Sequence, residues 1–409
     1  MLNSYAVQKK NYFLFSISFA FRNIAIGIFF LVFNIYMIEL EFSSEFLGLF
    51  LAAGNISMCV GSIPAGILVD KINKKTLLIV STITAGFLFL LQSIIVDKQL
   101  LILISILYGC SFITLMNITG PYIMEFKEFE KEKNLLISNR AIALISMTVG
   151  SLLGGYLSNV KIYFVHQEYR SALIVSAIIY MLAAMPLAFL KDNYKTEDID
   201  YITKKQKSNT TLVKKNLKNI IIFSSVFFSI GFAILLLPFT NLYFKNRFNL
   251  SITTLSYLLA VIQVSISLCV YAMSKLIKNI SSKKNIICLC LSVIILTIIL
   301  LLVSNLIIQV ILFIFISSLF NVISSAFLNY SLENIDGEIM GTTTGIINTA
   351  YNMSESIGIF TASILVGGYH FNFIFILSIV SMIIALFFIF ISNNNKISRS
   401  NIDDKNELL

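Results

Sequence analysis

The chain alternates between long apolar runs and short stretches that hold most of its charged and turn-forming residues. A helix needs about 20 apolar residues to cross the hydrocarbon core of a membrane, and twelve runs approach or exceed that length. The predicted spans cover residues 12–38, 46–69, 76–96, 100–124, 136–158, 170–190, 219–243, 254–275, 285–303, 306–330, 342–368 and 371–392. The pattern therefore predicts an all-α integral membrane protein with twelve transmembrane helices.

Composition excludes a water-soluble protein. Hydrophobic residues make up 57% of the 409 residues and charged residues only 12%, against about 25% charged residues in soluble domains. The first run follows Lys9 and Lys10 as a signal peptide would, but it contains Arg22 and has no small-residue cleavage site. We therefore expect this run to remain as the first helix.

The formal net charge of +9 comes mainly from Lys and Arg clusters between the apolar runs, which is typical of membrane topology rather than of nucleic-acid binding. With both termini in the cytoplasm, the basic residues of the outer connections are Lys98, Lys161, Arg170, Lys245 and Arg247. The positive charge is then concentrated on the inner side. We expect a multi-pass protein of the cell membrane with cytoplasmic termini and no nucleic-acid partner.

The longest connection separates six predicted spans from the six that follow. It predicts an N-terminal six-helix half over 1–190, a cytoplasmic linker over 191–218, a C-terminal six-helix half over 219–392 and a cytoplasmic tail over 393–409. The basic second part of the linker is either solvated or lies along anionic lipid head groups.

A repeated segment links the second and fifth spans. Residues 56–68 read ISMCVGSIPAGIL and residues 145–157 read ISMTVGSLLGGYL, and eight positions are identical. The two spans cross the membrane in opposite senses. The match is either the sign of inverted repeats of three helices or a chance likeness of two Gly/Ser-rich apolar helices.

The inner end of the second span carries a recognisable motif, because residues 66–75 read GILVDKINKK. This resembles the second–third loop signature of the major facilitator superfamily, and it departs from that signature at Asn73, where the family usually has glycine. Together with the twelve spans and the central connection, the resemblance covers the whole chain. It implies a transporter with the major facilitator fold, in which two six-helix halves are built from inverted repeats.

The resemblance also implies a cytoplasmic latch. In the family, the aspartate equivalent to Asp70 faces the N-terminus of the eleventh span. We expect Lys74 to be placed similarly to pair with Glu125, at the inner end of the fourth span. The alternative is that these charges only anchor the protein by the positive-inside rule. Arg140, about one turn inside the fifth span, either joins the latch or extends to the interface. The predicted latch comprises Gly66, Asp70, Lys71, Lys74, Lys75, Glu125 and Arg140.

In the fifth span, residues 150–155 read GSLLGG and resemble the end of a signature found in antiporters of the superfamily, with Ser151 in place of proline. This resemblance favours export over import. The same small residues, Gly150, Gly154 and Gly155, equally suit plain helix packing.

Ionisable residues within spans are costly in hydrocarbon and usually face a cavity, and besides Arg140 they are Arg22 and Glu355. Counted at 1.5 Å per residue, Glu355 lies roughly 20 Å and Arg22 roughly 15 Å from the inner surface. Their comparable depths predict that they can pair across a central cavity. Our hypothesis is that Glu355 takes up a proton when this pairing breaks; the alternatives are a fixed ion pair or an anchor for substrate charge.

Polar residues in the spans indicate where the cavity lies. Gly341, Gly345, Asn348, Asn352 and Glu355 fall on one helical stripe, which should face protein or water. The 35 Phe and 17 Tyr residues, with no Trp, suit amphiphilic or lipophilic substrates better than sugars. The candidate coupling and cavity residues are Arg22, Glu355, Asn23, Asn34, Asn348, Asn352, Gln263 and Asn321.

These features together predict a secondary-active exporter similar to the drug-efflux branch of bacterial members, driven by proton antiport. An importer of a small nutrient and a lipid flippase of the same fold are the alternatives.

We expect no enzyme activity, because no paired catalytic constellation occurs within the spans. The five cysteines and two histidines lack ligand spacing, so neither a metal nor a cofactor is expected. The expected partners are a small-molecule substrate, the proton and membrane lipid, and the expected state is a monomer.

Overall fold

Helices make up nearly all of the described chain, and no β-strand occurs among its residues. A computed structural model describes residues 2–124, 135–158, 169–190, 200–277, 280–335, 339–368 and 370–392. The α-helices in chain order are α1 Leu2–Glu39, α2 Ser44–Lys71, α3 Lys74–Ile94, α4 Lys98–Met124, α5 Leu135–Leu157, α6 Arg170–Leu182, α7 Ala184–Ala188, α8 Asp200–Ala233, α9 Thr240–Phe248, α10 Ile252–Leu276, α11 Lys283–Leu302, α12 Leu306–Glu333, α13 Met340–Gly367 and α14 Phe371–Ile391.

Each predicted span coincides with helical structure. Within the described residues, ten segments are long and apolar enough to cross a membrane. The two remaining spans are α5, of which Ile142–Leu157 is a shorter apolar helix, and α13, which is rich in Gly, Thr, Ser and Asn. The prediction of an all-α membrane fold is confirmed.

Short polar turns end one span and begin the next. Asn73 is the N-cap of α3, and its Oδ1 accepts a hydrogen bond from the backbone N–H of Lys75 at 2.8 Å. Ser43 and Asn305 cap α2 and α12 in the same way. These side chains satisfy N–H groups that the first turn of a helix leaves unpaired, and they fix where each helix starts.

Proline interrupts the sixth and seventh spans. Proline lacks the backbone N–H and its ring clashes with the carbonyl four residues earlier, which for Pro186 belongs to Leu182, where α6 ends. The predicted seventh span, 219–243, lies within one apolar segment, Asn216–Phe248, but this segment is not one continuous helix. The helix α8 ends before Pro238, and a single 3₁₀ turn over Leu237–Phe239 separates it from α9.

The predicted linker is partly helical, because α8 begins at Asp200. Residues 191–199 and the predicted tail 393–409 lie outside the described residues. The predicted division into two six-helix halves stays a prediction.

The chain divides into two compact units, and the first comprises Met1–Lys195, Leu236–Ser267 and Ile359–Ile374. In it α1 packs against α5 and α6, and α3 packs against α4 and α6. Its core buries large apolar side chains from these helices, among them Phe15 and Leu78. This core surrounds the middle of α1, which carries Arg22.

The second unit comprises Thr196–Leu235, Leu268–Gly358 and Phe375–Leu409. In it α11 packs against α12. A hydrogen bond of 2.7 Å from Ser381 Oγ to the backbone carbonyl of Ser229 joins α14 to α8. The helix α13 contributes most of its length to this unit.

Candidate functional site

Arg22 lies inside the first unit with only 4% of its surface exposed. Its guanidinium carbon is 5.4 Å from the ring centroid of Phe19 and 6.0 Å from that of Phe15, both on preceding turns of α1. Its Nε and Nη2 atoms have no hydrogen-bond partner among the described residues. Buried donors of a charged group are costly when unsatisfied. They are therefore the groups that a carboxylate, an anionic ligand or water would use.

An aromatic cluster stands beside Arg22. Tyr180 of α6 lies near Arg22 and packs edge-on against Phe89 of α3, with ring centroids 5.2 Å apart. The ring of Phe89 also lies 4.1 Å from Phe29 and 4.9 Å from Tyr108. Aromatic faces attract cations and offer large apolar contact areas. The middle of the first unit thus combines one buried cation with an aromatic wall.

Glu355 lies on α13 in the second unit and is half-buried. Along the same stripe, Gly345 and Asn348 are exposed and Asn352 is half-buried. Polar side chains on an exposed helix face are expensive against hydrocarbon, so this face suits a water-filled cavity. Arg22 belongs to the first unit, and its pairing with Glu355 stays a prediction.

Three other predicted cavity residues make mostly local contacts. The side-chain amides of Asn23 and Asn321 each donate to the carbonyl one turn earlier in their own helix, at 2.7 and 2.9 Å. Gln263 Nε2 of α10 lies 3.7 Å from the sulfur of Met147 on α5. Their place in a cavity stays a prediction. Among the described residues, no group of three or more His, Cys, Asp or Glu side chains could hold a metal ion.

Asn34, another predicted cavity residue, joins two helices. Its Nδ2 donates to the backbone carbonyl of Pro238 at 2.7 Å and to Oδ1 of Asn241 at 3.1 Å. Asn241 in turn donates from Nδ2 to the carbonyls of Phe30 and Leu31, at 3.1 and 3.0 Å. The two asparagines bind α1 to α9 through these reciprocal contacts.

The sequence analysis missed Asn241. It stands three residues after Pro238, on the first turn of α9, where the helix has just restarted. A proline followed one turn later by a buried amide is a signal that could have found it, because a broken helix exposes backbone groups that need partners.

The same end of the first unit, where α1 turns into α2, contains two further close helix contacts. A side chain at Gly48 of α2 would collide with Ser363 of α13, and one at Gly155 of α5 would collide with Ser256 of α10. We call this region the α1–α2 end. Three pairs of helices are therefore held together there: α1 with α9, α2 with α13 and α5 with α10.

Arg170, which sequence reasoning treated only as an outer charge, also lies at the α1–α2 end. Its Nε donates to the carbonyl of Ser93 at 2.9 Å and to the hydroxyl of Tyr36 at 3.2 Å. Its Nη2 donates to the carbonyl of Ile94 at 3.1 Å. A cation at the last carbonyls of α3 satisfies them and complements the helix dipole.

Two residues of the inner motif have defined partners. Lys75 Nζ donates to the backbone carbonyl of Leu190 at 2.7 Å, just past the end of α7. Asn73 has φ −52° and ψ 122° and acts as the cap of α3. The departure from glycine at this position therefore provides a capping side chain rather than a left-handed turn.

The rest of the predicted latch stays a prediction. The side chains of Asp70, Lys71 and Arg140, and the whole of Glu125, lie outside what the structure describes. At Gly66, no described atom lies within 4 Å of the position that a Cβ would take. No close helix approach is therefore seen at Gly66 among the described residues.

Glycines of α5 let this helix approach α1 at backbone distance. A side chain at Gly150 would collide with the carbonyl of Ile24, and a Cβ at Gly154 would lie 3.2 Å from the Cα of Ile28. Together with the contact at Gly155, this gives each of the three predicted packing glycines a close neighbour.

Comparison with known proteins identifies a family. The family model described as Major Facilitator Superfamily matches residues 12–359. No curated protein matches the chain in sequence.

Solved structures resemble the chain in fold. The nucleoside transporter NupG aligns with a TM-score of 0.75 at 13% identity, over 93% of this chain and 98% of that one. A bacterial homologue of the human lysosomal transporter Spinster, in an inward-facing and unoccupied conformation, aligns with a TM-score of 0.72 at 11% identity, over 94% and 97% of the two chains. At these identities the likeness concerns the fold alone.

Proposed function

Because the chain belongs to the major facilitator superfamily, a family of membrane transporters, we propose that it is a secondary-active exporter of small amphiphilic or lipophilic compounds. Transport would follow alternating access, with the α1–α2 end facing the outside and both termini facing the cytoplasm. Entry of protons would drive export, and the protein would work as a monomer in the cell membrane.

The observation that carries this proposal is the buried Arg22 beside the aromatic cluster of Phe89, Tyr108 and Tyr180. Aromatic walls with a few polar anchors favour ligands that have an apolar body and a small polar group. Sugars, which need many hydrogen-bond partners, fit such a wall poorly.

Coupling would depend on Glu355. An ionised Glu355 would be stabilised by the Arg22 guanidinium, and a proton arriving at a carboxylate oxygen of Glu355 would remove that attraction. The guanidinium donors would then be available to a substrate group or to water. A ligand shifts alternating access only if it binds the two states with different affinities, and the proton on Glu355 would supply that difference.

The test uses proteoliposomes that contain the purified protein. Transport of each compound in a panel of fluorescent amphiphiles would be measured in the presence and in the absence of a pH gradient. We expect gradient-driven accumulation for the unchanged protein and loss of the gradient dependence in Glu355→Gln. The matched control is Glu333→Gln, which removes an exposed carboxylate at the end of α12 and should leave coupling intact. Unchanged coupling in Glu355→Gln would eliminate the proposed role.

Uptake is the second candidate function, and the fold likeness to a nucleoside transporter is the observation that favours it. Cells that express the protein would be given labelled nucleosides and other small nutrients. Accumulation of a labelled compound above the level of cells without the protein would reverse the export proposal. Movement of lipid analogues between leaflets in the same proteoliposomes would indicate a flippase instead.

A further inference from the structure

A cavity of about 680 Å³ lies in the second unit between α8, α13 and α14. Its lining is apolar except for four serines, and its rim includes large side chains that are exposed, such as Ile221 at 56% and Val380 at 47%. The cavity is therefore a groove that opens to the surface of the unit.

Serine hydroxyls form hydrogen bonds in and between the helices that line this groove. Ser381 Oγ donates to the carbonyl of Ser229 at 2.7 Å, and Ser378 Oγ donates to the carbonyl of Ala233 at 2.7 Å. Ser225 Oγ donates to the carbonyl one turn earlier in α8, at 2.9 Å. Ser229 Oγ donates likewise to the carbonyl of Ser225, whereas Ser224 Oγ has no hydrogen-bond partner among the described residues. Because three of the four lining hydroxyls already have acceptors, the groove offers little polar chemistry and suits hydrocarbon.

The groove follows helices that cross the membrane. Its lining on α8 runs from Leu217 to Phe232, which is roughly 22 Å at 1.5 Å per residue, and on α14 from Leu377 to Phe388, roughly 16 Å. One leaflet of the hydrocarbon core is about 15 Å deep. Both segments belong to apolar spans, so hydrocarbon is the medium that meets the groove. An empty groove would forfeit dispersion contacts along its whole length.

We propose that this groove binds one acyl chain of a bilayer phospholipid, which lies along α8 and α14. The inference requires only that the chain spans a membrane, and it holds for either direction of transport.

The chain contains no tryptophan, so a single introduced tryptophan reports on one position. Phe388 lines the groove, whereas its neighbour Phe387 lies outside the lining and is 60% exposed. Purified Phe388→Trp and Phe387→Trp proteins in detergent would be titrated with phosphatidylcholine whose acyl chains carry bromine, which quenches tryptophan fluorescence on contact. The two positions share a helix and a depth, which makes Phe387→Trp a matched control.

We expect Phe388→Trp to be half-quenched at a lipid-to-protein ratio about tenfold lower than Phe387→Trp, because a site that prefers the lipid by that factor fills first. Filling the groove with Ala350→Phe in the Phe388→Trp protein should move its curve to that of the control. Ser225→Leu is a second filling variant, in case Ala350→Phe does not yield folded protein. Identical curves for the two tryptophans, or no effect of the filling variants, would overturn the proposal.

Discussion

Asn34 of α1 donates a hydrogen bond to Asn241 of α9 at 3.1 Å, and both side chains are buried, at 5% and 0% exposure. The pair depends on the break in the seventh span, because the carbonyl of Pro238 also accepts from Asn34, at 2.7 Å. A buried amide that loses its partner keeps the cost of its desolvation. The contact is therefore a defined bond between helices that the proposed alternating access would have to break.

Replacing Asn241 with leucine should loosen the α1–α2 end. The change removes the contact with Asn34 and the two bonds to the carbonyls of Phe30 and Leu31. Bonds between membrane helices average about 0.6 kcal/mol, so the loss is roughly 2 kcal/mol and shifts an open–closed equilibrium by roughly 30-fold. Ser363 is buried at this end. A cysteine in its place should therefore react faster with a membrane-impermeant maleimide in the Asn241→Leu protein than in the protein that keeps Asn241.

The control for this prediction is Asn321→Leu, since the hydrogen bond described for the Asn321 side chain goes to the carbonyl of Ser317 in its own helix. All proteins in the comparison would first have their native cysteines replaced. An Asn241→Leu protein that labels at the unchanged rate would show that the asparagine pair does not hold this end closed.

The asparagine pair also marks where prediction from the sequence ended. The predicted spans 76–96 and 306–330 begin within two residues of the starts of α3 and α12, because an unbroken apolar run follows charged or turn residues at both places. The contact at the break joins Pro238 to Asn34 of α1, and these two residues are 204 positions apart in the sequence. Periodicity carries no information about such a contact.

Arg22 illustrates the same limit at the candidate site. Its depth followed from counting residues along an apolar run, which needs only helical geometry. That two of its nitrogen atoms lack partners, and that Tyr180 lies nearby, depends on how α6 packs against α1 and α3. Those contacts are set by tertiary packing and could not be read from local spacing.

Substituting alanine for Gly150 should destabilise the first unit. The added Cβ would collide with the backbone carbonyl of Ile24, which cannot move without shifting α1 against α5. Overpacking of this kind costs about 1–3 kcal/mol. Gly345 is the matched control, because no described atom lies within 4 Å of its Cβ position. In detergent, the thermal unfolding midpoint should fall for Gly150→Ala and not for Gly345→Ala; equal midpoints would contradict the packing role.

Asn73 should contribute to stability as a helix cap. Asn73→Ala removes the acceptor for the backbone N–H of Lys75 and should cost about 1 kcal/mol. Asn73→Ser keeps a capping oxygen and should restore most of that loss. The measurement is again the midpoint of thermal unfolding. If alanine and serine had the same effect, the cap would have no part in the stability of α3.

The proposed pairing of Arg22 with Glu355 makes a prediction about variants in combination. If the two charges act as one unit, Arg22→Gln and Glu355→Gln should each abolish the dependence of transport on the pH gradient, and the double variant should be no worse than either alone. Residues that share one interaction show such non-additivity, whereas independent residues give additive effects. Arg22 is also buried beside Phe19, so Arg22→Gln needs a check that the protein remains folded.

Arg247→Gln provides the charge-matched control for that cycle, since Arg247 is exposed on the last turn of α9. Alone, it should leave gradient-driven transport unchanged, and combined with Glu355→Gln it should leave the defect of Glu355→Gln unchanged. Downhill exchange of substrate, measured without a gradient, separates loss of coupling from loss of binding. If Arg22→Gln abolished downhill exchange whereas Glu355→Gln left it intact, Arg22 would contact the substrate itself. Strictly additive effects would show that the two residues act independently, because a shared ion pair can be broken only once.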